Sequence, residues 1–276
     1  MKRDEQLEWE ARWSRPAAAA AVAAAFLQVA SFAYGVSALG SGAVRGEKAQ
    51  QLRIDEHAGD LLAIAGLNGI AVLCMGGVLV YLFYATKARR PELQQAALIL
   101  AIAGPVLYTA VLTTLNIVRL DVAADFAALP GAQQTNRAAE RLEDASILSD
   151  VGLVGLAPSL AFGFSFVLIS LSAMRSGLLS RFMGILGIIV GVLYVVPLLG
   201  GGPPIVNIFW TAALAALFLN RWPGGRGPAW AAGEAIPWPS AVDQAKARES
   251  ARQGEPPEPE EPSAPKRSRK KKRRGR

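Results

Sequence analysis

Apolar residues in this 276-residue chain come in long unbroken blocks separated by short charged segments. A soluble helix or strand keeps one face wet and therefore alternates apolar with polar positions. Uncharged runs of about twenty residues instead match the hydrocarbon of a bilayer, about 30 Å thick. The pattern predicts an all-α polytopic membrane bundle with six transmembrane helices, over residues 17–39, 61–86, 93–118, 151–174, 182–199 and 205–220. The last two come from one uncharged stretch, too long for a single crossing. Gly200, Gly201, Gly202, Pro203 and Pro204 divide it, because consecutive prolines lack N–H donors and glycines weaken helices.

The spans differ in strength. The first is rich in alanine and inserts weakly; the acidic residues before it and its length favour a retained anchor over a cleaved signal peptide. The third holds about eleven Leu, Ile and Val from Leu98 onward, favouring insertion by roughly 3–7 kcal/mol. Pro105 and Pro158 fall inside the third and fourth spans and predict bends there. Residues 16–222 thus read as the membrane domain. Residues 1–15 read as an interfacial segment, with Trp9 and Trp13 on one helical face at the headgroup level. In the loop 119–150, residues 133–146 have the composition and spacing of a short surface helix. From Arg221 the chain turns polar and rich in Pro, Gly and Glu, so 223–276 reads as a disordered tail with a polybasic end.

Charge fixes the expected orientation. The N-terminal segment, the connections at 87–91 and 175–181, and the tail carry about 23 of the 29 Lys and Arg. The loops 45–60 and 119–150 carry the remaining six with a larger number of acids. The positive-inside tendency then puts both termini in the cytoplasm, which an even number of crossings also requires.

Little in the spans can do covalent chemistry. No Asp, Glu, Lys, Arg or His falls within them as drawn, which counts against a proton- or ion-coupled carrier. The single cysteine, Cys74, lies in an apolar block and the single histidine, His57, in a polar loop, too few ligands for a metal or haem site. Gly163-Phe164-Ser165 has the Gly-x-Ser form of intramembrane serine proteases, but no span supplies the base that would activate the hydroxyl. We therefore expect no catalytic residue, no cofactor and no enzyme. Asn68, Asn116 and Asn207, with Gln28, remain as the buried polar candidates in the spans. They serve either as amides bonding across helices or as the lining of a solute pathway. Ser159, Gly163, Gly187 and Gly191 are small enough for close helix approach; Gly187 and Gly191 form a GxxxG motif, read as internal packing before homodimerisation.

The segment Gly177-Leu-Leu-Ser-Arg-Phe-Met-Gly-Ile-Leu-Gly-Ile-Ile-Val-Gly191 resembles a recurrent stretch of uncharacterised bacterial multi-pass membrane proteins that carry a domain of unknown function. In these a basic residue precedes a Gly-rich span after a small-Leu-Leu turn. The resemblance implies a polytopic protein of the bacterial inner or plasma membrane and brings no active-site residues. The leading expectation is a non-enzymatic structural or interaction protein. Its partners are the bilayer, a protein at the loop 119–150, and anionic lipid at Lys270, Lys271, Lys272, Arg273 and Arg274, with nucleic acid the weaker reading of that basic cluster. The alternative is a transporter or channel for a neutral or lipid-like solute, using Asn68, Asn116 and Asn207; a membrane enzyme ranks third. Homo-oligomerisation is left open.

Overall fold

The computed structural model describes residues 3–40, 45–146, 155–195, 205–223 and 225–238. Gly200 to Pro204, the predicted span ends at 151–154 and 196–199, and the tail 239–276 with Lys270 to Arg274 lie outside these residues. Those described belong to one compact unit, Met1–Trp238. They form nine helices and no strand: α1 (Arg3–Leu39), α2 (Glu47–Glu56), α3 (Ala58–Arg89), α4 (Gln95–Ala127), α5 (Asn136–Asp144), α6 (Leu156–Arg175), α7 (Arg181–Val195), α8 (Ile205–Phe218) and α9 (Pro228–Ala232). Four of these, α1, α3, α4 and α6, are long and apolar enough to cross a membrane. Helices α7 and α8 are equally apolar but have 15 and 14 residues.

The apolar helices close into a ring. Helix α1 packs on α3, α3 on α4, α4 on α6, α6 on α7, α7 on α8, and α8 returns to α1, while α3 also touches α6 across the ring. On α1 the small residues face inward: Ala17, Ala18, Ala21 and Ala24 are buried, whereas Val22, Phe26, Val29 and Phe32 are exposed. Ile99, Ile102, Phe164, Phe182, Ile185, Ile205 and Phe209 also point outward on the other helices. On α1, large side chains outside and small ones inside is the arrangement lipid permits and water penalises.

Several boundaries differ from the sequence expectation, each for a tertiary reason. Residues 3–15 are continuous with the first span, so α1 runs through Pro16, which leaves the Arg12 carbonyl without its usual i+4 donor. Contacts with α3 hold this extension: Trp9 stacks on Tyr81 at 5.6 Å between ring centroids, and the Tyr81 hydroxyl donates to the Glu10 carbonyl at 3.1 Å. Pro158 sits in the first turn of α6, where its missing N–H costs no intrahelical bond, so it does not act there as a mid-helix kink. The expected tail begins folded: α9 and its flanks pack against the bundle, with Ala229 and Trp230 buried.

The ring has two different ends. At one, the chain start, the α3 C-terminus, the turn after α6 and α9 meet. Arg3 pairs with Glu234 at 3.0 Å, and Trp230 Nε1 donates to the Leu178 carbonyl at 2.9 Å. Gly177 makes that turn with φ +77°, and a Cβ there would lie 1.8 Å from the Ile236 carbonyl oxygen. At the other end α2 lies on α4 and α5. The Lys48 N–H donates to Asn136 Oδ1 at 2.9 Å, and the Thr135 hydroxyl caps α5 by accepting from the Ala138 N–H.

Candidate functional site

A cavity of about 320 Å³ opens inside the ring between α1, α3, α4, α7 and α8. Gln28 enters from α1, Asn68 from α3, Asn116 from α4 and Asn207 from α8, so the four amides singled out in the sequence all line one space. Thr109, Thr113, Tyr108 and Tyr194 add hydroxyls, and Leu61, Ile64 and Val72 add apolar walls. No Asp, Glu, Lys, Arg, His or Cys is among the described lining residues. The size lies at the lower end of small-molecule sites.

The amides differ in their state. Asn207 is buried and its Nδ2 donates to Gln28 Oε1 at 2.7 Å and to the Tyr194 hydroxyl at 3.0 Å. Gln28 Nε2 in turn donates to the Ala24 carbonyl at 3.2 Å and approaches Met75 Sδ at 3.5 Å. Asn207 Oδ1 and Thr109 Oγ1, both shielded from the surface, have no partner among the described residues. Asn116 Nδ2 donates to the Leu112 carbonyl on its own helix at 2.8 Å. Asn68 is exposed on the α3 side of the cavity. Sequence reasoning missed Tyr108, Tyr194 and Thr109. Their types are common in spans, and only their convergence with the amides distinguishes them.

An aromatic platform shapes the wall behind the Gln28, Asn207 and Tyr194 hydrogen bonds. Tyr194 packs on Phe162 at 4.7 Å, Phe166 at 5.6 Å and Tyr108 at 5.6 Å, and Trp210 on Phe166 at 5.3 Å. Glycines bring the helices near enough for this. A Cβ on Gly163 would meet the Gly191 carbonyl oxygen at 2.6 Å, and one on Gly187 would meet Ser170 Oγ at 2.3 Å and Trp210 Nε1 at 2.9 Å. Both lie in contacts made within one chain. Ser159 is buried and donates to the Gly155 carbonyl at 2.7 Å. Ser165 is likewise spent on the Phe162 carbonyl at 2.6 Å.

Two polar clusters lie outside the cavity. At the end of the ring where α2 lies, Asp60 at the head of α3 accepts from the Tyr34 hydroxyl at 2.6 Å and meets His57 Nδ1 at 3.1 Å. The Tyr34 hydrogen bond, followed by the one from His57, holds its carboxyl below the usual range. At the opposite end Glu10 and Arg89, which the sequence placed in water-facing segments, form a buried pair. Arg89 Nη2 lies 2.9 Å from Glu10 Oε2 and also 2.9 Å from the Ala229 carbonyl, and its Nε donates to the same carbonyl at 3.0 Å. The Arg89 and Arg226 guanidinium groups lie 5.6 and 5.3 Å from the Trp230 ring centroid. Among the described residues no group of three His, Cys, Asp or Glu is placed to hold a metal.

The fold and the cavity define a class, an α-helical bundle with helices of membrane-crossing length around a neutral polar space. No family model, no curated protein and no solved structure matches the chain.

Proposed function

We propose that this is a non-enzymatic membrane protein that binds a small neutral solute in the cavity between α1, α3, α4, α7 and α8 and conducts it across the bilayer. The observation that carries the reading is the meeting of Gln28, Asn68, Asn116 and Asn207 at one uncharged space. Gln28 and Asn207 bond to each other across α1 and α8 as packing amides do, but Asn116 bonds its own helix and Asn68 is exposed on the α3 side, and both still face the same space. A carrier of ions would place a charge in the site, and none of the described lining residues carries one.

The proposal includes six crossings, with α7 and α8 as the fifth and sixth. Exposed Phe182, Ile185, Ile189, Ile205 and Phe209 on these two helices support contact with lipid. Their described lengths, about 22 and 21 Å at 1.5 Å per residue, reach most of the way through the hydrocarbon. Both termini are placed in the cytoplasm, and the protein in a bacterial inner or plasma membrane among the multi-pass proteins its Gly177-to-Gly191 segment resembles. The basic cluster from Lys270 to Arg274 contacts anionic lipid.

Osmotic swelling of proteoliposomes in glycerol and in urea, followed by light scattering, tests conduction. Wild-type protein is expected to accelerate swelling. Asn68→Trp, whose side chain starts from an exposed position and reaches into the cavity, is expected to slow it by about tenfold, the equivalent of about 1.4 kcal/mol. Equal rates with and without protein would remove the conduction reading. The interaction role would then lead, supported by a groove of about 490 Å³ beside α5 that presents Arg137, Arg141 and Leu142.

A further inference from the structure

The start of α4 and the end of α6 border a second space, a basin of about 250 Å³. Arg90, Glu92 and Gln94 line it from the turn before α4, and Leu168, Ser172 and Arg175 line it from α6. The turn is held in place from below: Lys87 Nζ donates to the Pro91 carbonyl at 2.6 Å and to the Leu93 carbonyl, and Leu93 is buried. Arg90 Nη2 pairs with Glu92 Oε2 at 2.8 Å, which offsets those two charges and leaves most of the guanidinium donors unspent. Arg175 is exposed, and its side chain makes no ion pair or hydrogen bond among the described residues. The basin therefore keeps an uncompensated positive charge. Gln94 gives α4 no side-chain cap, so the first N–H groups of that helix, at the positive end of its dipole, add to the same field.

The face of α6 that runs into the basin is graded. Phe164, Leu168, Ser172 and Arg175 follow at the spacing of one helical face. Phe164 is 50% and Leu168 39% exposed, and the half-buried Ser172 hydroxyl has no partner among the described residues. Apolar surface, hydroxyl and cation succeed one another over about 16 Å at 1.5 Å per residue, in the order in which a phospholipid presents chain, ester and phosphate. Orientation in the membrane asks for a basic residue at this end of α6, but not for one at the rim of a basin. We propose that the space between α4 and α6 is a site for an anionic phospholipid. Arg175 receives the phosphate, with Arg90 beside it, and an acyl chain lies along Leu168 and Phe164. Basic pockets between spanning helices hold lipid headgroups by this chemistry. The site is separate from the solute cavity and does not depend on it.

Native mass spectrometry of the full chain in detergent, titrated with phosphatidylglycerol and with phosphatidylcholine, tests the assignment. The first phosphatidylglycerol is expected to bind about fivefold more tightly than the first phosphatidylcholine, the preference one arginine near the surface supplies. Arg175→Gln is expected to bring the ratio close to one. Glu92→Gln, which releases Arg90, is expected to raise it. Replacing Lys270, Lys271, Lys272, Arg273 and Arg274 by Gln, or the exposed Arg181 by Gln, is expected to leave it unchanged. A wild-type ratio near one would overturn the site. So would a ratio that Arg175→Gln leaves intact, one that Glu92→Gln lowers, or one that falls as much in Arg181→Gln or the tail variant, since the preference would then belong to diffuse surface charge. Displacement of the phosphatidylglycerol by excess inorganic phosphate would assign the basin to a soluble anion and overturn the lipid.

Discussion

Glu10 and Arg89 illustrate how single residues change meaning between sequence and structure. Each stands in a mixed-charge segment at the edge of an apolar block, where a charge normally faces water. In the fold both side chains are almost wholly buried, because α1 continues past Pro16 and α9 closes over the α3 C-terminus. Arg89 spends its donors on the Glu10 carboxylate, the Ala229 carbonyl and the Ala85 carbonyl. Glu10 also accepts from Gln6 Nε2 at 2.8 Å. Taking away one partner strands the other charge, at a cost of about 3–5 kcal/mol in comparable buried pairs. Glu10→Ala should therefore lower the thermal midpoint in detergent and loosen α9. Trypsin should then cut faster at Arg226, whose Nε is otherwise held by the Leu217 carbonyl at 3.0 Å. Unchanged cleavage at Arg226 would mean that the pair does not hold α9.

At the scale of helices, glycines decide which pairs approach. Gly163 and Gly191 place the backbones of α6 and α7 against each other, and Gly187 admits the Trp210 indole, whose N–H donates to the Met183 carbonyl at 3.0 Å. Gly163→Leu or Gly187→Leu must push the helices apart and should cost about 1–3 kcal/mol or more. Gly66 on α3 is the control, since a Cβ there meets nothing within 4 Å. Gly66→Ala should be neutral or stabilising by about 0.4–1 kcal/mol through the unfolded chain. Thermal midpoints of the three variants check this, and equal losses at Gly66 and Gly187 would refute the packing argument. The apolar runs marked the long helices well because a lipid-length block has few other uses. Their ends were harder to read: residues 3–15, the α4 extension to Ala127 and the folding of 225–238 all depend on partners distant in sequence.

For the whole molecule, the two ends of the ring sort the chain by charge. The N-terminal stretch, the turn at Gly177 and the segment around α9 meet at one end, and α2 and α5 meet at the other. These are the groups that the basic and acidic loops formed in the sequence. In the proposed orientation, which puts both termini in the cytoplasm, green fluorescent protein fused after Arg276 should fluoresce in the cell. A phosphatase that works only outside the cytoplasm should be active when inserted at the exposed turn residue Gly131. A silent insertion at Gly131 with an active phosphatase at Arg276 would reverse the orientation.

The sequence alone determined the helical class, the long apolar helices and the sorting of charge, because these follow from transfer free energies that act residue by residue. It also singled out Gln28, Asn68, Asn116 and Asn207 as polar candidates within the spans. What only the tertiary structure decided is that the four share a cavity, that Asn207 bonds Gln28 and Tyr194 there, and that Glu10 and Arg89 leave water. Those outcomes depend on which helix faces mark the inside of the ring, and hydropathy summed along a span carries no information about facing.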